Sequence, residues 1–492
     1  MERAIGIDLG TTFSAVAIVG DQHKARAIPN TEGGLTTPSI ALWYEGRFVV
    51  GQQAFDLIQR AQGAERDQLE GSLIRGVKRM IGKPPEGGLF SNGHRTDPIE
   101  VSAAILAKLA HDASAYLGVP VQDAVITVPA HFVDQERSAT KAAAEKAGLR
   151  VLQIINEPSA AALTYTHGQE AKSGTALVFD LGGGTFDATV LELGGHEARV
   201  LATKGIEELG GINFTNTLAV ALGKRYEQVV SSPYPSTIKA NIALVEAAEK
   251  AKCQLSEVQS TTVHLAPPQG RAANIEITRE QFESQVDLLL FQLQIAVEQA
   301  LERANKRPAD IQRVLLCGGS SRIPAVQAML TDFFSRRPES TLDLDLSVAL
   351  GAAYLAASYK EDAKTHTPAL QLEEGLVIDC VSYPVGIAVK NARGEDIKLV
   401  MLQTGDPLDT WSQPFAVRIL GSSTAFPPID VYSGEGTQLQ AKDHLGNIML
   451  TLPPGIPSGT RATVMMRQDQ SGLVQVQINV AGRDLPGNLR RV

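Results

Sequence analysis

One short loop occurs twice in this chain, and the duplication limits its fold more than any other feature. The first copy reads Ile7-Asp8-Leu9-Gly10-Thr11-Thr12, within an apolar run that begins at Ala4 and resumes at Ala15. The second reads Phe179-Asp180-Leu181-Gly182-Gly183-Gly184-Thr185-Phe186-Asp187, between Ala176-Leu177-Val178 and Thr189-Val190-Leu191. Each has a strand, an Asp, a glycine turn with hydroxyl residues, and a returning strand. Glycine lets backbone N–H groups approach phosphate oxygens together, and Asp carboxylates suit a hard cation such as Mg²⁺. A single copy would read as well as an ordinary Asp-Gly hairpin. Two copies in the same order predict two similar lobes closing on one nucleotide from opposite sides.

With 492 residues the chain has room for several domains, each with its own core. A net charge of −9 and the lack of a basic block argue against a nucleic-acid partner. Cys253, Cys317 and Cys380 are too far apart for a zinc site and odd in number for a disulfide framework, and the histidines are scattered. Met1-Glu2-Arg3 runs straight into a strand-like segment, unlike a signal peptide, and no apolar run is long enough to span a membrane. The cytoplasm is the expected compartment, with no membrane partner.

Strand-like and helical runs alternate to about residue 360. Ile99 to Leu117, Glu136 to Ala147 and Gln281 to Ala304 have helical spacing, and Ala124 to Val128 and Val314 to Leu316 read as strands. That mixture predicts α/β layers. From Val385 the texture becomes short strands separated by turn signals at Pro407, Gly421, Gly434, Gly446, Gly459 and Gly472, which predicts a β-sandwich. The expected division is 1–367, a linker over 368–383, and a sandwich over 384–492.

Four blocks now carry a family resemblance. They are Gly6 to Thr12, Ile155-Asn156-Glu157-Pro158-Ser159-Ala160-Ala161-Ala162, Asp180 to Asp187, and Gly318-Gly319-Ser320-Ser321-Arg322-Ile323-Pro324. In this order the chain resembles the 70-kDa heat-shock chaperone (DnaK-like) family from residue 4 to about residue 485. The resemblance implies a two-lobed, actin-like α/β ATPase domain followed by an all-β sandwich that binds peptide. It implies ATP and ADP as ligands with Mg²⁺, extended apolar polypeptides as substrates, and a J-domain co-chaperone and nucleotide exchange factor as partners.

Residue roles follow from the same resemblance. Asp8, Gly10, Thr11, Thr12 and Phe13 match the first phosphate loop, and Asp180, Gly182, Gly183, Gly184, Thr185 and Asp187 the second. Asp8 and Asp187 would hold Mg²⁺ mostly through water. Lys78, in Gly76-Val77-Lys78-Arg79, matches the catalytic lysine; by its own chemistry it reads as a solvated surface lysine. Glu157 would position the water network and Thr185 would contact the γ-phosphate. Gly210, Gly211, Glu249, Lys252, Ser256, Gly318, Gly319, Ser320, Arg322 and Asp345 match the rest of the nucleotide shell. Cys253 departs from the pattern, standing where many members stack an Arg on adenine, and this weakens the expected affinity by about a kcal/mol.

Pro129 and Arg137 match an interlobe switch, although Pro129 alone reads equally as a strand-ending proline. Leu376, Ile378 and Asp379 fall where the family has its allosteric linker, with a first sandwich strand as the other reading. Ile387, Phe415 and Ile429 match the peptide groove, and Ile387 and Ile429 read equally as plain core. Pro427 near the central pocket position and Lys390-Asn391-Ala392-Arg393 at a loop tip depart from the family, and the sequence ends at Val492 before a helical lid, so a lidless member is expected. A sugar kinase of the same fold would leave the sandwich unexplained. A scaffold with a decayed ATPase is opposed by the full set of Asp8, Lys78, Glu157, Asp180, Thr185 and Asp187.

Overall fold

The computed structural model describes residues 4–491 apart from 21–22, 84, 168–172, 195–196, 269, 341–342, 362–367, 371–375, 392, 419–427, 435, 450–455 and 458. Pro427 and Ala392 therefore lie outside the described residues.

The duplicated loop builds the same arrangement twice. In the first lobe, Ile5–Asp8 and Phe13–Val19 form an antiparallel hairpin with Asp8 opposite Ala15, and Asp123–Val128 lies parallel beside Ile5–Asp8. In the second, Gly174–Leu181 and Phe186–Gly194 form the hairpin with Asp180 opposite Asp187, and Arg313–Cys317 lies parallel beside it. The first sheet runs Arg150–Asn156, Asp123–Val128, Ile5–Asp8, Phe13–Val19, Ala25–Ala27; the second runs Arg313–Cys317, Gly174–Leu181, Phe186–Gly194, Glu197–Ile206, Leu376–Ile378. Both central strands are covered on both faces, which is why they read as unbroken apolar runs. Phe179 and Phe186 are fully buried with ring centroids 4.7 Å apart, and each contributes about 1.5–3 kcal/mol by burial.

Two helices join the lobes. Ser347–Ala357 lies on the first sheet, Glu157–Thr166 lies on the second, and the two pack on each other. Small residues make this approach feasible: Ala160, Ala161, Ala352 and Ala353 are at most 1% exposed. A Cβ on Gly351 would sit 1.6 Å from the Ala160 carbonyl oxygen, so only glycine fits at the crossing.

Outer helices cover the lobes. Pro98–Leu117 begins with Asp97 accepting the Glu100 backbone N–H at 2.8 Å and with Pro98 in its first turn, a good helix start. The helical run Gln281 to Ala304 is two helices, Arg279–Glu283 and Asp287–Arg303. Between them Gln285 N bonds Phe282 O at 3.0 Å and Val286 N bonds Glu283 O at 3.1 Å, tightening the chain into a turn.

Beyond Cys380 the strands are antiparallel, in the order Asp396–Leu402, Val385–Lys390, Ile429–Ser433, His444–Met449, Arg483–Arg491, Val474–Val480, Arg461–Gln468, Phe415–Arg418. Val385, Val431, Ile448, Val464 and Ile478 fill one core between them. The apolar island Leu376–Ile378 is not a strand of this sandwich. It pairs in parallel with Glu197–Arg199, Val377 opposite Ala198, as the edge strand of the second lobe's sheet.

Candidate nucleotide site and its link to the sandwich

Lys78 sits on the short turn Val77–Met80 and is 5% exposed, with its ammonium paired to Glu157. The surface reading of this lysine is thus overturned. Glu157 opens the helix Glu157–Thr166 directly after the strand Arg150–Asn156, so a strand end and a helix start fix it together. Burial pushes its carboxyl up to about 7 despite the pull of Lys78, with Asp8 adding to the rise. Burial opposes charge on Lys78, but Glu157 and Asp8 hold its ammonium above the ordinary value. Asp8 is raised by burial and accepts a hydrogen bond from Thr127 Oγ1 at 3.2 Å. Asp180 is raised well above its ordinary range by burial and then by Glu157, Asp187 and Asp8.

The two loops meet across the cleft. A Cβ on Gly183 would fall 2.0 Å from Thr12 Oγ1, and one on Gly184 would fall 2.7 Å from Thr11 Cγ2. Gly182 N bonds Thr185 O at 3.1 Å, while Gly211 N and Ile212 N bond Gly182 O and Gly183 O at 2.9 and 2.8 Å. The second loop is therefore tied to Gly210 and to the start of the helix Gly211–Val230, a helix end that favours anions. On the first loop, Gly10 N bonds Ser14 Oγ at 3.2 Å, and Phe13 beyond it is 53% exposed.

On the helix Ile238–Glu257, Lys252 donates to Glu249 at 2.7 Å, to Thr215 Oγ1 at 2.9 Å and to the Gly211 carbonyl at 3.2 Å. Ser256 lies one turn on, its hydroxyl on the Lys252 carbonyl at 3.2 Å. A Cβ on Gly211 would meet Ser320 Oγ at 2.3 Å, which sets the start of the helix Gly211–Val230 against the Gly319–Arg322 turn. Arg322 bridges Asp343 and Asp345 at 3.1 and 2.9 Å, and Asp345 abuts Gly319. Cys253 is exposed, its thiol 3.6 Å from Glu249 and pushed up by burial and by that carboxylate.

The second hairpin and the sandwich are joined through the turn that follows the strand Asp123–Val128. Pro129 follows the strand Asp123–Val128, and its carbonyl accepts from Phe132 N at 3.1 Å. Within that turn Ala130 N donates to Asp187 Oδ2 at 3.3 Å, and His131 Nδ1 lies 3.0 Å from Asp187 Oδ1. Arg137 holds Phe132 O at 2.9 Å, Ser471 O at 3.3 Å and the Asn156 side chain. Asn156 donates to Asp379 at 2.6 Å and Ser159 to the same oxygen at 3.2 Å. Burial raises the Asp379 carboxyl, opposed first by Arg137. Asp134 accepts Val474 N at 2.6 Å, and Ile154 N bonds Ser471 Oγ at 3.2 Å.

Sequence reasoning missed Thr127, His131, Asp134 and the turn 469–474. Gly472, noted only as a turn signal, marks that turn; a Cβ there would lie 3.0 Å from the Arg137 guanidinium. Ile387 is 1% exposed in the sandwich core, and Phe415 and Ile429 pack against that core partly buried. Among the described residues no three His, Cys, Asp or Glu side chains converge to hold a metal ion directly. No helix among them is long and apolar enough to cross a membrane.

Known proteins match this chain in sequence along nearly its whole length. A family model described as Hsp70 protein matches residues 4–87 and 88–485. Chaperone protein dnaK1 of Synechocystis sp. is 35% identical over 510 residues, covering 98% of this chain and 70% of that protein. The DnaK chaperones of Trieres chinensis and Thermotoga petrophila are each 36% identical, over 504 and 489 residues, and cover 98% of this chain and 78% and 79% of themselves. Two lobes built on a repeated Asp-Gly-Thr hairpin, a sandwich after them and this match together mean that the chain belongs to the Hsp70 family.

Proposed function

We propose that this chain, an ATP-hydrolysing chaperone of the DnaK type, uses the nucleotide state of its two lobes to set how tightly the sandwich holds extended apolar polypeptide. The observation that carries the coupling is the route from Glu157 to the sandwich. Asn156, next to Glu157 in sequence, is bonded both to Arg137 and to Asp379, and Asp379 follows the strand that the linker adds to the second lobe. Two sites and a two-state element between them are what allostery requires.

The buried side chains have separable tasks. Lys78 would stabilise charge developing on the γ-phosphate, Thr185 would contact that group, and Glu157 would hold Lys78 and the attacking water in place. Gly183, Gly184 and Gly210 leave backbone room for phosphate oxygens, while Glu249, Lys252, Ser256, Gly319, Arg322 and Asp345 would hold the adenosine. Glu157, Asp8 and Asp180 surround the Lys78 ammonium; burial raises the Asp8 and Asp180 carboxyls, and Glu157, Asp187 and Asp8 add to the rise at Asp180, so a cation fits there. Asp8 and Asp187 would hold Mg²⁺ mostly through its waters, and the ion would supply neutralisation of phosphate charge. Ile387, Phe415 and Ile429 are the proposed peptide-groove residues, the cytoplasm the proposed compartment, and a J-domain co-chaperone and an exchange factor the proposed partners.

Single-turnover ATP hydrolysis with and without an extended apolar peptide tests this reading. Stimulation by peptide is the expected result; no stimulation, or phosphorylation of a sugar in place of hydrolysis, overturns it.

A further inference from the structure

We propose that His131 is a positioning residue for ATP hydrolysis, its imidazole fixing the Asp187 carboxylate across the junction between the two lobes. Asp187 belongs to the second lobe's hairpin, yet both of its oxygens are held by the first lobe. Oδ1 faces His131 Nδ1 at 3.0 Å and Oδ2 accepts Ala130 N–H at 3.3 Å. An imidazole can donate to a carboxylate only from a protonated nitrogen, so Nδ1 carries the hydrogen here. The other ring nitrogen, Nε2, is buried without a hydrogen-bond partner among the described residues. The bond to Asp187 is thus the polar tie that sets the orientation of the ring. Gly205, opposite Asp187 in the next strand, supports both groups. A Cβ there would lie 2.4 Å from His131 Nδ1 and 2.6 Å from Asp187 Oδ1.

The ring of the neighbouring Phe132 meets the imidazole in a T-shaped contact, with centroids 5.7 Å apart and planes at 82°. Phe132 O in turn accepts from Arg137, which reaches the sandwich at Ser471. A shift of the turn 129–132 would therefore move His131 and the Asp187 carboxylate together. The inference rests on the place of Asp187 in the hydrolytic centre.

The test uses the full chain with His131→Phe, which keeps a ring and removes the donor, and His131→Asn, which puts an amide N–H near the Nδ1 position. Hydrolysis is read in single turnover, ATP affinity by calorimetry, and Mg²⁺ dependence by nucleotide fluorescence. His131→Phe should slow hydrolysis by roughly tenfold or more, the value of a hydrogen bond to a charged group, with ATP affinity changed less than about threefold. His131→Asn should recover most of the rate, and His131→Phe should add no loss in an Asp187→Asn background. Should the Phe variant not fold, His131→Gln, whose donor lies one bond further out, carries the same expected loss. Wild-type hydrolysis in His131→Phe, equal losses in the Phe and Asn variants, or an undiminished effect in the Asp187→Asn background would each overturn the inference. Wild-type hydrolysis in Asp187→Asn alone would instead overturn the underlying site assignment.

Discussion

Removing the Lys78 ammonium leaves Glu157 buried without the cation that faces it. Lys78→Ala is therefore expected to slow single-turnover hydrolysis by roughly a hundredfold or more while ATP affinity changes only several-fold, because the role proposed for the lysine is on transition-state charge. Glu157 sets a pH dependence. Its carboxyl titrates near 7 and is protonated below that, so hydrolysis should fall as pH drops from about 8 to 6. The same step should flatten in Glu157→Gln; an unchanged step there would assign the titration to another group. These residues were legible through their motif, whereas their burial was not. A lysine at position 78 has no apolar stripe to announce that a 3₁₀ turn will carry it inward, and His131 drew no notice because its partner, Asp187, comes from the other lobe.

At the scale of elements, the hairpins were legible because doubly covered strands read as continuous apolar runs. The crossing of the two joining helices was not, since a Gly among alanines has no periodic signature. Gly351→Ala should cost at least about 1–3 kcal/mol in denaturant unfolding, because the added methyl meets the Ala160 carbonyl. Gly71→Ala, where a Cβ meets nothing within 4 Å, should be neutral or slightly stabilising. Equal effects would contradict the close crossing. The linker shows another limit of local reading: a short apolar island reads equally as a linker or as a first sandwich strand, and only its pairing with Glu197–Arg199 makes Leu376–Ile378 an edge strand of the second lobe.

Over the whole molecule, the sandwich docks on the lobes through polar groups that come from distant parts of the chain. Arg137 meets Ser471, Asp134 meets Val474, and Asn156 with Ser159 holds Asp379. No spacing in the sequence encodes such pairings, although the residues on the lobe side lie in or beside recognisable blocks. In the proposed function, these contacts are the path by which a change at Asp187 or Glu157 reaches the sandwich. Stopped-flow release of a fluorescent extended apolar peptide, compared in ADP and ATP for the wild type and for Val377→Pro, tests this most directly. Proline at 377 cannot donate in a ladder and should detach the linker strand from Ala198. The account predicts that ATP accelerates release by roughly tenfold or more in the wild type and has little effect in the variant, in keeping with affinity changes that lie mostly in off-rates. Identical release in both nucleotides for the wild type, or full acceleration in Val377→Pro, would contradict it.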